Sequence, residues 1–252
     1  MGPTWERALI VGASSGIGEA LARQLAREGC QVALVARRAE ELERIAGEIN
    51  AGAQKSLARF YVHDVREYAC TPALFQQIAR DLGGLDLVIY SAGVMPRLAE
   101  DEYNFEKDRL TVEVNLLGAI AWLNEAAQRF ARAGGGSIIG ISSVAGDRGR
   151  RSFPVYAATK SGLNTYLEAL RNRVGRFGVS VVTVKPGPVD TPMTRGLEGL
   201  PLMISAERAA RAILRAARRR AHTVYVPGIW RVIMFVIRHI PSFLFQRQNV
   251  IR

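Results

Sequence analysis

Cysteine is nearly absent from this chain. Its two cysteines, Cys30 and Cys70, lie far apart in 252 residues, with no histidine at ligand spacing. That excludes a disulfide framework and a zinc site, and it fits the reducing cytosol. Long apolar runs are missing as well. No uninterrupted stretch reaches the ~18 residues of a membrane span. The strand-like Ala8-Leu9-Ile10-Val11 begins too early to leave room for a signal peptide. Gly2 opens no myristoylation signal, because Glu6 stands where serine or threonine is required. Acids are scarce in one region only. From Ser205 to Arg252 ten arginines face a single acid, Glu207; that +9 is most of the chain's net +11, leaving +2 for residues 1–204. So lopsided a charge points to an anionic partner of the tail. Repeats, low-complexity tracts and interdomain linkers are also absent, leaving one domain over 1–228 with an appendage over 229–252.

What is present is a regular alternation of short β-branched runs and helical patterns. The runs predict strands at Ala8–Val11, Gln31–Ala36, Ala58–Val62, Leu85–Tyr90, Gly136–Ser142, Val179–Lys185 and Thr223–Val226. Helices are expected near 16–28, 38–50, 71–82, 104–133, 154–177 and 205–220. Most of the strands are continuously apolar, as strands covered on both faces are. Such alternation reads as βαβ units on a doubly wound parallel sheet, an α/β fold.

The first strand ends in Gly12-Ala13-Ser14-Ser15-Gly16-Ile17-Gly18 and runs into a helix. Glycines allow a tight turn and close backbone approach, and the helix start offers free N–H groups to a pyrophosphate. The spacing is G-x-x-x-G-x-G rather than G-x-G-x-x-G; taken alone, such a segment is often only a turn. After the second strand stand Arg37 and Arg38, where an acid would grip a ribose 2′-hydroxyl. An arginine fork suits a 2′-phosphate instead, which favours NADP(H) over NAD; the alternative is that both arginines cap a solvated strand end. Further on, Tyr156 and Lys160 are four apart and share one helix face, with Ser143 upstream. A nearby cation favours phenolate, so Lys160 is expected to lower the tyrosine pKa; three units would take roughly 4 kcal/mol, to be supplied by the ammonium together with a cationic cofactor in a dry cleft. On spacing alone a surface pair is the commoner explanation.

Taken together these residues resemble the short-chain dehydrogenase/reductase family of the Tyr-x-x-x-Lys type, over roughly residues 6–228. The matching pieces are the turn at 12–18, Asp64-Val65, Ser91-Ala92-Gly93, Asn115, Ser143, Tyr156-x-x-x-Lys160, and Pro186-Gly187 leading through Val189 to Thr191. The resemblance implies a Rossmann-type sheet of about seven strands with helices on both faces, and hydride transfer between NADP(H) and a ketone or secondary alcohol. Tyr156 would be the proton donor, Ser143 would polarise the carbonyl, and Lys160 would tune the phenol and hold the nicotinamide ribose. Asn115 would hold a water, and no metal is implied. Ser142 is the rival for the serine role. Asp64 would meet adenine, Ala92 and Gly93 would admit the adenosine ribose, and Thr191 with the backbone after Pro186 would contact the carboxamide. Two positions depart from the pattern, Ser91 for asparagine and Val11 for threonine; both are structural matters. A homodimer or homotetramer built on the helices near 104–133 and 154–177 is implied as well.

The appendage holds Trp230 to Ile240, nearly all apolar, with Arg231 and Arg238 seven apart. A helix ending before Pro241 reaches only ~15 Å and cannot span a bilayer. It suits a peripheral position on an anionic membrane, at the inner face for a cytoplasmic protein. The competing possibilities are a helix packed on the sheet, a lid, or a subunit interface. Nucleic acid is disfavoured, because no stacking groove or binding motif accompanies the charge. Met193, Leu197, Leu200, Leu202 and Met203 in the expected lid suggest an apolar or lipid-linked substrate, and Arg238-His239-Ile240-Pro241 resembles reductases of polyprenyl-phosphate-linked keto-sugars. A non-catalytic NADP-binding scaffold remains a reading of a different class.

Overall fold

The computed structural model describes residues 5–53, 56–99, 101–197 and 199–247. Seven parallel strands form the sheet: β1 (Arg7–Val11), β2 (Gln31–Ala36), β3 (Ala58–Val62), β4 (Leu87–Tyr90), β5 (Gly136–Ile141), β6 (Val179–Pro186) and β9 (Thr223–Val226). Their order is β3-β2-β1-β4-β5-β6-β9, and a small second pair joins β7 (Val189–Asp190) to β8 (Ile204–Ser205). Strands β1, β2, β4 and β5 are buried along almost their whole length, as continuous Val/Ile/Leu runs require when both faces are covered. One face carries α1 (Gly16–Arg27), α2 (Ala39–Ala51) and α7 (Ala206–Arg218), whose Leu21, Leu25, Ile45, Ile213 and Leu214 pack on Ile10 and Leu34. The other carries α3 (Thr71–Asp81), α5 (Gly118–Ala133) and α6 (Pro154–Val174), with Phe75, Trp122, Phe130 and Leu167 on Leu9 and Val88. The chain order reverses between β1 and β4, and a cleft opens there beyond the strand ends, where open α/β sheets bind ligands.

The expected single helix over 104–133 is divided. α4 (Phe105–Val112) passes through a widened turn of π type, Glu113–Leu117, into α5. Two tyrosines accept the distortion: Tyr90 Oη donates to the Val114 carbonyl at 2.6 Å and Tyr68 Oη to that of Glu113 at 3.2 Å. The extra residue rotates Asn115 into the interior, where it is fully buried; π-type turns recur at functional sites for this reason.

The appendage folds onto the body as α8 (Trp230–His239) and α9 (Ser242–Arg247). Trp230, Met234 and Ile237, spaced as one helix face, are buried against Val144. Arg148 Nη1 closes the helix end by donating to the carbonyls of Ile237, Arg238 and Ile240 at 3.1, 2.9 and 2.7 Å. Its guanidinium also lies 4.4 Å over the Phe245 ring. Residues 248–252 of the expected tail lie outside the described residues. No helix among the described residues is long and apolar enough to cross a membrane.

Candidate active site

The cleft at the β1/β4 divide has a volume of 480 Å³ and runs from Arg37 and Arg38 at one end to Trp230 at the other. At the nucleotide end, Gly12 has φ +90°, and a Cβ there would collide with the Ala92 backbone, so only glycine lets these two turns meet. Gly12 N donates to the Val35 carbonyl at 2.7 Å, tying the turn to β2. Ser15 precedes α1 without a side-chain capping bond, so the first-turn N–H groups of α1 are not covered by that hydroxyl. Arg38 bonds Ser14 Oγ at 2.8 Å, Ser14 O at 3.1 Å and Ser15 Oγ at 2.8 Å, which fixes a guanidinium beside the turn. Arg37 is more than half exposed at the rim. A glycine cradle, an uncapped helix start and two rim cations fit a phosphorylated dinucleotide.

Most residues expected from the sequence meet here: Gly12, Ser14, Ser15, Gly16, Ile17, Arg37, Arg38, Val65, Ala92, Gly93, Ser143, Tyr156, Lys160, Pro186, Gly187, Val189 and Thr191 all line the cleft. Gly18, Asp64 and Asn115 do not. Gly18 packs tightly under the Gly12 carbonyl. The Asp64 carboxylate turns to Arg66 at 2.7 Å and Arg37 at 3.9 Å, leaving His63 and Val65 to line the wall. These cations hold its carboxyl below the usual range. Asn115 uses its amide to clamp the neighbouring loop, accepting from Val94 N at 2.7 Å and donating to Val94 O at 2.9 Å. Its side chain therefore positions the segment after Gly93.

At the reactive end, Ser143 Oγ accepts from Ala145 N at 3.1 Å and stands close enough to the Tyr156 phenol to act on its pKa. Ser142 also lines the cleft, but its hydroxyl is engaged, donating to the Lys160 carbonyl at 3.1 Å. Lys160 Nζ, one turn past Tyr156 on α6, donates to the Ile141 carbonyl at 3.0 Å and lies 5.7 Å from the Tyr156 ring centre. The electrostatics differ from the expectation. Burial pushes the Tyr156 phenol above its ordinary value, against the Ser143 hydroxyl and the charge of Arg150, which pull it down. Burial also pushes Lys160 down from 10.5 to about 8. Desolvation is the leading cause of both shifts, and neither residue is among the causes of the other's shift.

This has a measurable consequence. Below pH 8 both folded and unfolded chains carry the Lys160 proton, and the cost of burying it is fully present. Between about 8 and 10.5 only the unfolded chain keeps that proton, so this contribution to stability improves as pH rises. Lys160→Met should therefore stabilise the fold at pH 7 by about 1–3 kcal/mol, less the lost bond to Ile141, with the gain shrinking by pH 10. Urea denaturation of both proteins at the two pH values, without added nucleotide, checks it; a Met variant less stable at pH 7 contradicts the assignment.

The wall residues that the motifs do not point to include Arg150, Phe153 and Trp230. The first two lie between Ser143 and Tyr156, so the chain must carry them past the site, a signal the sequence did hold. Trp230 arrives from the appendage. Its indole rests on Gly187, where any Cβ would strike it.

The family described as short chain dehydrogenase matches residues 6–199. An uncharacterised oxidoreductase of Staphylococcus epidermidis is 32% identical over 216 residues, 85% of this chain and 92% of that protein. An uncharacterised oxidoreductase of Mycobacterium tuberculosis is 30% identical over 227 residues, 90% of each chain. Among solved structures, a short-chain type dehydrogenase/reductase from Mycobacterium ulcerans superposes with a TM-score of 0.81 at 26% identity, covering 97% of this chain and 94% of that one.

Proposed function

This chain belongs to the short-chain dehydrogenase/reductase family, and from that premise we propose that it interconverts a ketone and a secondary alcohol with NADP(H), on an apolar or lipid-linked substrate. The observation that carries this reading is the Tyr156 phenol near the Ser143 hydroxyl, with Lys160 behind it, in a cleft whose walls include Met193, Leu197, Leu200 and Trp230. The nicotinamide cofactor supplies the hydride when bound. In reduction, Tyr156 gives its hydroxyl proton to the carbonyl oxygen while Ser143 donates a hydrogen bond to it, stabilising the charge that builds there. A phenol held above its ordinary pKa is protonated at neutral pH, the form this donor role needs. Lys160 stands next to the phenolate that results. Apolar walls exclude water around the reacting centre.

The preference for NADP(H) rests on Arg37 and Arg38. Fluorescence titration should show NADPH bound more tightly than NADH. Arg37→Ala and Arg38→Ala should each reduce that preference by about 10- to 100-fold, the worth of a charge-assisted bond. Tighter NADH binding, or a preference unmoved by both substitutions, contradicts it.

The same reading places the protein on an anionic membrane surface in the cytoplasm. While Trp230, Met234 and Ile237 face the body, the outward side of α8 exposes Val232 at 60%, Phe235 at 66% and Val236 at 57% beside exposed Arg231 and Arg238, and α9 exposes Phe243 and Leu244. Apolar side chains rimmed by arginine suit a headgroup interface. Phe235→Ser with Val236→Ser, both outward-facing, should lower partition onto phosphatidylglycerol vesicles by about 30-fold or more, since each removes roughly 1 kcal/mol or more of transfer. Equal partition would leave the helix as a cleft wall in a soluble enzyme. Homo-oligomerisation through α5 and α6 completes the proposal, and sedimentation tests it.

A further inference from the structure

The loop joining Ser143 to α6 carries Asp147-Arg148-Gly149-Arg150-Arg151. Two of its arginines fasten the appendage: Arg148 bonds the carbonyls ending α8, and Arg151 Nη2 donates to Gln246 O at 3.1 Å. Arg150, between them, lines the cleft instead. Its Nε is buried without a hydrogen-bond partner, and its Nη2 reaches only the Met234 thioether, at 3.9 Å. The nearest acid of the loop, Asp147, is already engaged, accepting from Lys185 Nζ at 2.6 Å and Tyr225 Oη at 2.7 Å. Among the described residues no carboxylate forms an ion pair with Arg150.

Arg150 is half-buried: its Nε is shut off from water without an acceptor, and the Asp147 carboxylate helps it only through its charge. A buried guanidinium N–H without an acceptor is unfavourable, so an anion entering the cleft gains by pairing with it. Here the candidates are narrow. Arg37 and Arg38 serve the β2 end of the cleft, whereas Arg150 lies by α8, beside Phe153, Tyr156 and Trp230. Its charge is close enough to act on the Tyr156 phenol. Whatever pairs with it shares the cleft with Tyr156 and Ser143, whose walls there include the apolar Phe153, Met193, Leu197 and Trp230.

Resting on the carbonyl-reductase reading above, we propose that Arg150 is a substrate-anchoring residue whose guanidinium receives an anionic oxygen group, carboxylate or phosphate, borne on the apolar body of the ketone. The fork of N–H donors suits either anion. The substrate is then amphiphilic, with an acid head near the carbonyl and a hydrocarbon remainder against Met193, Leu197 and Leu200. Reduction leaves the anion unchanged, so it serves for orientation and selection.

Three NADPH-dependent probes of equal chain length test this: 4-oxodecanoate, its methyl ester, and 4-oxodecyl phosphate. Wild-type kcat/KM for at least one anionic probe should exceed that for the ester by about 10-fold or more, since a site left with an unpaired buried charge rejects the neutral analogue. Which anion wins tells carboxylate from phosphate. The anion-to-ester ratio should collapse toward unity in Arg150→Met and be partly kept in Arg150→Lys; Arg150→Gln replaces the Met variant should that fail to fold. A ratio near unity in the wild type, or one unchanged in Arg150→Met, overturns the assignment, including the case where every probe slows equally because the arginine only tunes Tyr156. Should no ketone be reduced, the carbonyl reading fails separately. Calorimetry of octanoate against 1-octanol on the NADP-loaded protein then decides the anion site. Octanoate binding lost in Arg150→Met supports it; no binding, or equal binding in both proteins, overturns it.

Discussion

Tyr156→Phe is expected to lower kcat for carbonyl reduction by about 10²- to 10⁴-fold, the range that a positioned proton donor contributes. The phenyl ring fills the same space, so the melting temperature should move by only a few degrees. What disappears is the proton next to Ser143 Oγ and the only phenol placed against that hydroxyl among the described residues. Lys160 cannot substitute, because its Nζ is turned to the Ile141 carbonyl. Stopped-flow NADPH oxidation separates the chemical step from release. Turnover within tenfold of wild type would remove Tyr156 from the chemistry and favour a non-catalytic, nucleotide-binding role.

A chain ended at Gly228 is expected not to fold stably. The deletion removes three side chains buried to 5% exposure or less, Trp230, Met234 and Ile237. At about 1.5–3 kcal/mol each, their loss is of the order of a whole domain's net stability. It also opens the face of Val144 and strips Arg148 of its three carbonyl partners. Trp230→Ala alone should cost about 3–5 kcal/mol, because the indole also closes the cleft over Gly187. Circular dichroism melts check both. A truncated chain melting within about 5 °C of the full chain would show that the appendage is a detachable anchor. On the present geometry residues 229–247 are part of the catalytic body.

Much of this architecture could be read from the chain. Short β-branched runs between amphipathic stretches predicted every strand of the seven-stranded sheet, most within a residue or two of where it lies; β1, β2, β4 and β5 are covered on both faces and so are apolar almost throughout. The glycine turn, Ser143 and the Tyr156/Lys160 spacing were legible because backbone approach and helix periodicity are local. What escaped depends on tertiary context. The break at Glu113–Leu117 needs Tyr68 and Tyr90 to hold its carbonyls, and nothing near Asn115 advertises them. The Asp64 carboxylate is held by Arg66, two residues on, a local pairing that the strand-end motif does not signal. Spacing shows that Lys160 is near enough to tune Tyr156; burial, the leading cause of both pKa directions, appears only when the walls are in place. The second, outward face of α8 was mixed with the inward one until packing divided them.

The central claim is hydride transfer between a nicotinamide cofactor and a carbonyl carbon at the Tyr156 site. Its most direct test supplies (4R)- and (4S)-deuterated NADPH with a panel of apolar and acid-bearing ketones, and reads the products by mass spectrometry. The prediction is deuterium on the carbinol carbon from one labelled form and not the other, with the signal lost in Tyr156→Phe. NADPH that binds tightly yet delivers no label to any ketone, or label that persists undiminished in the Phe variant, would contradict the account.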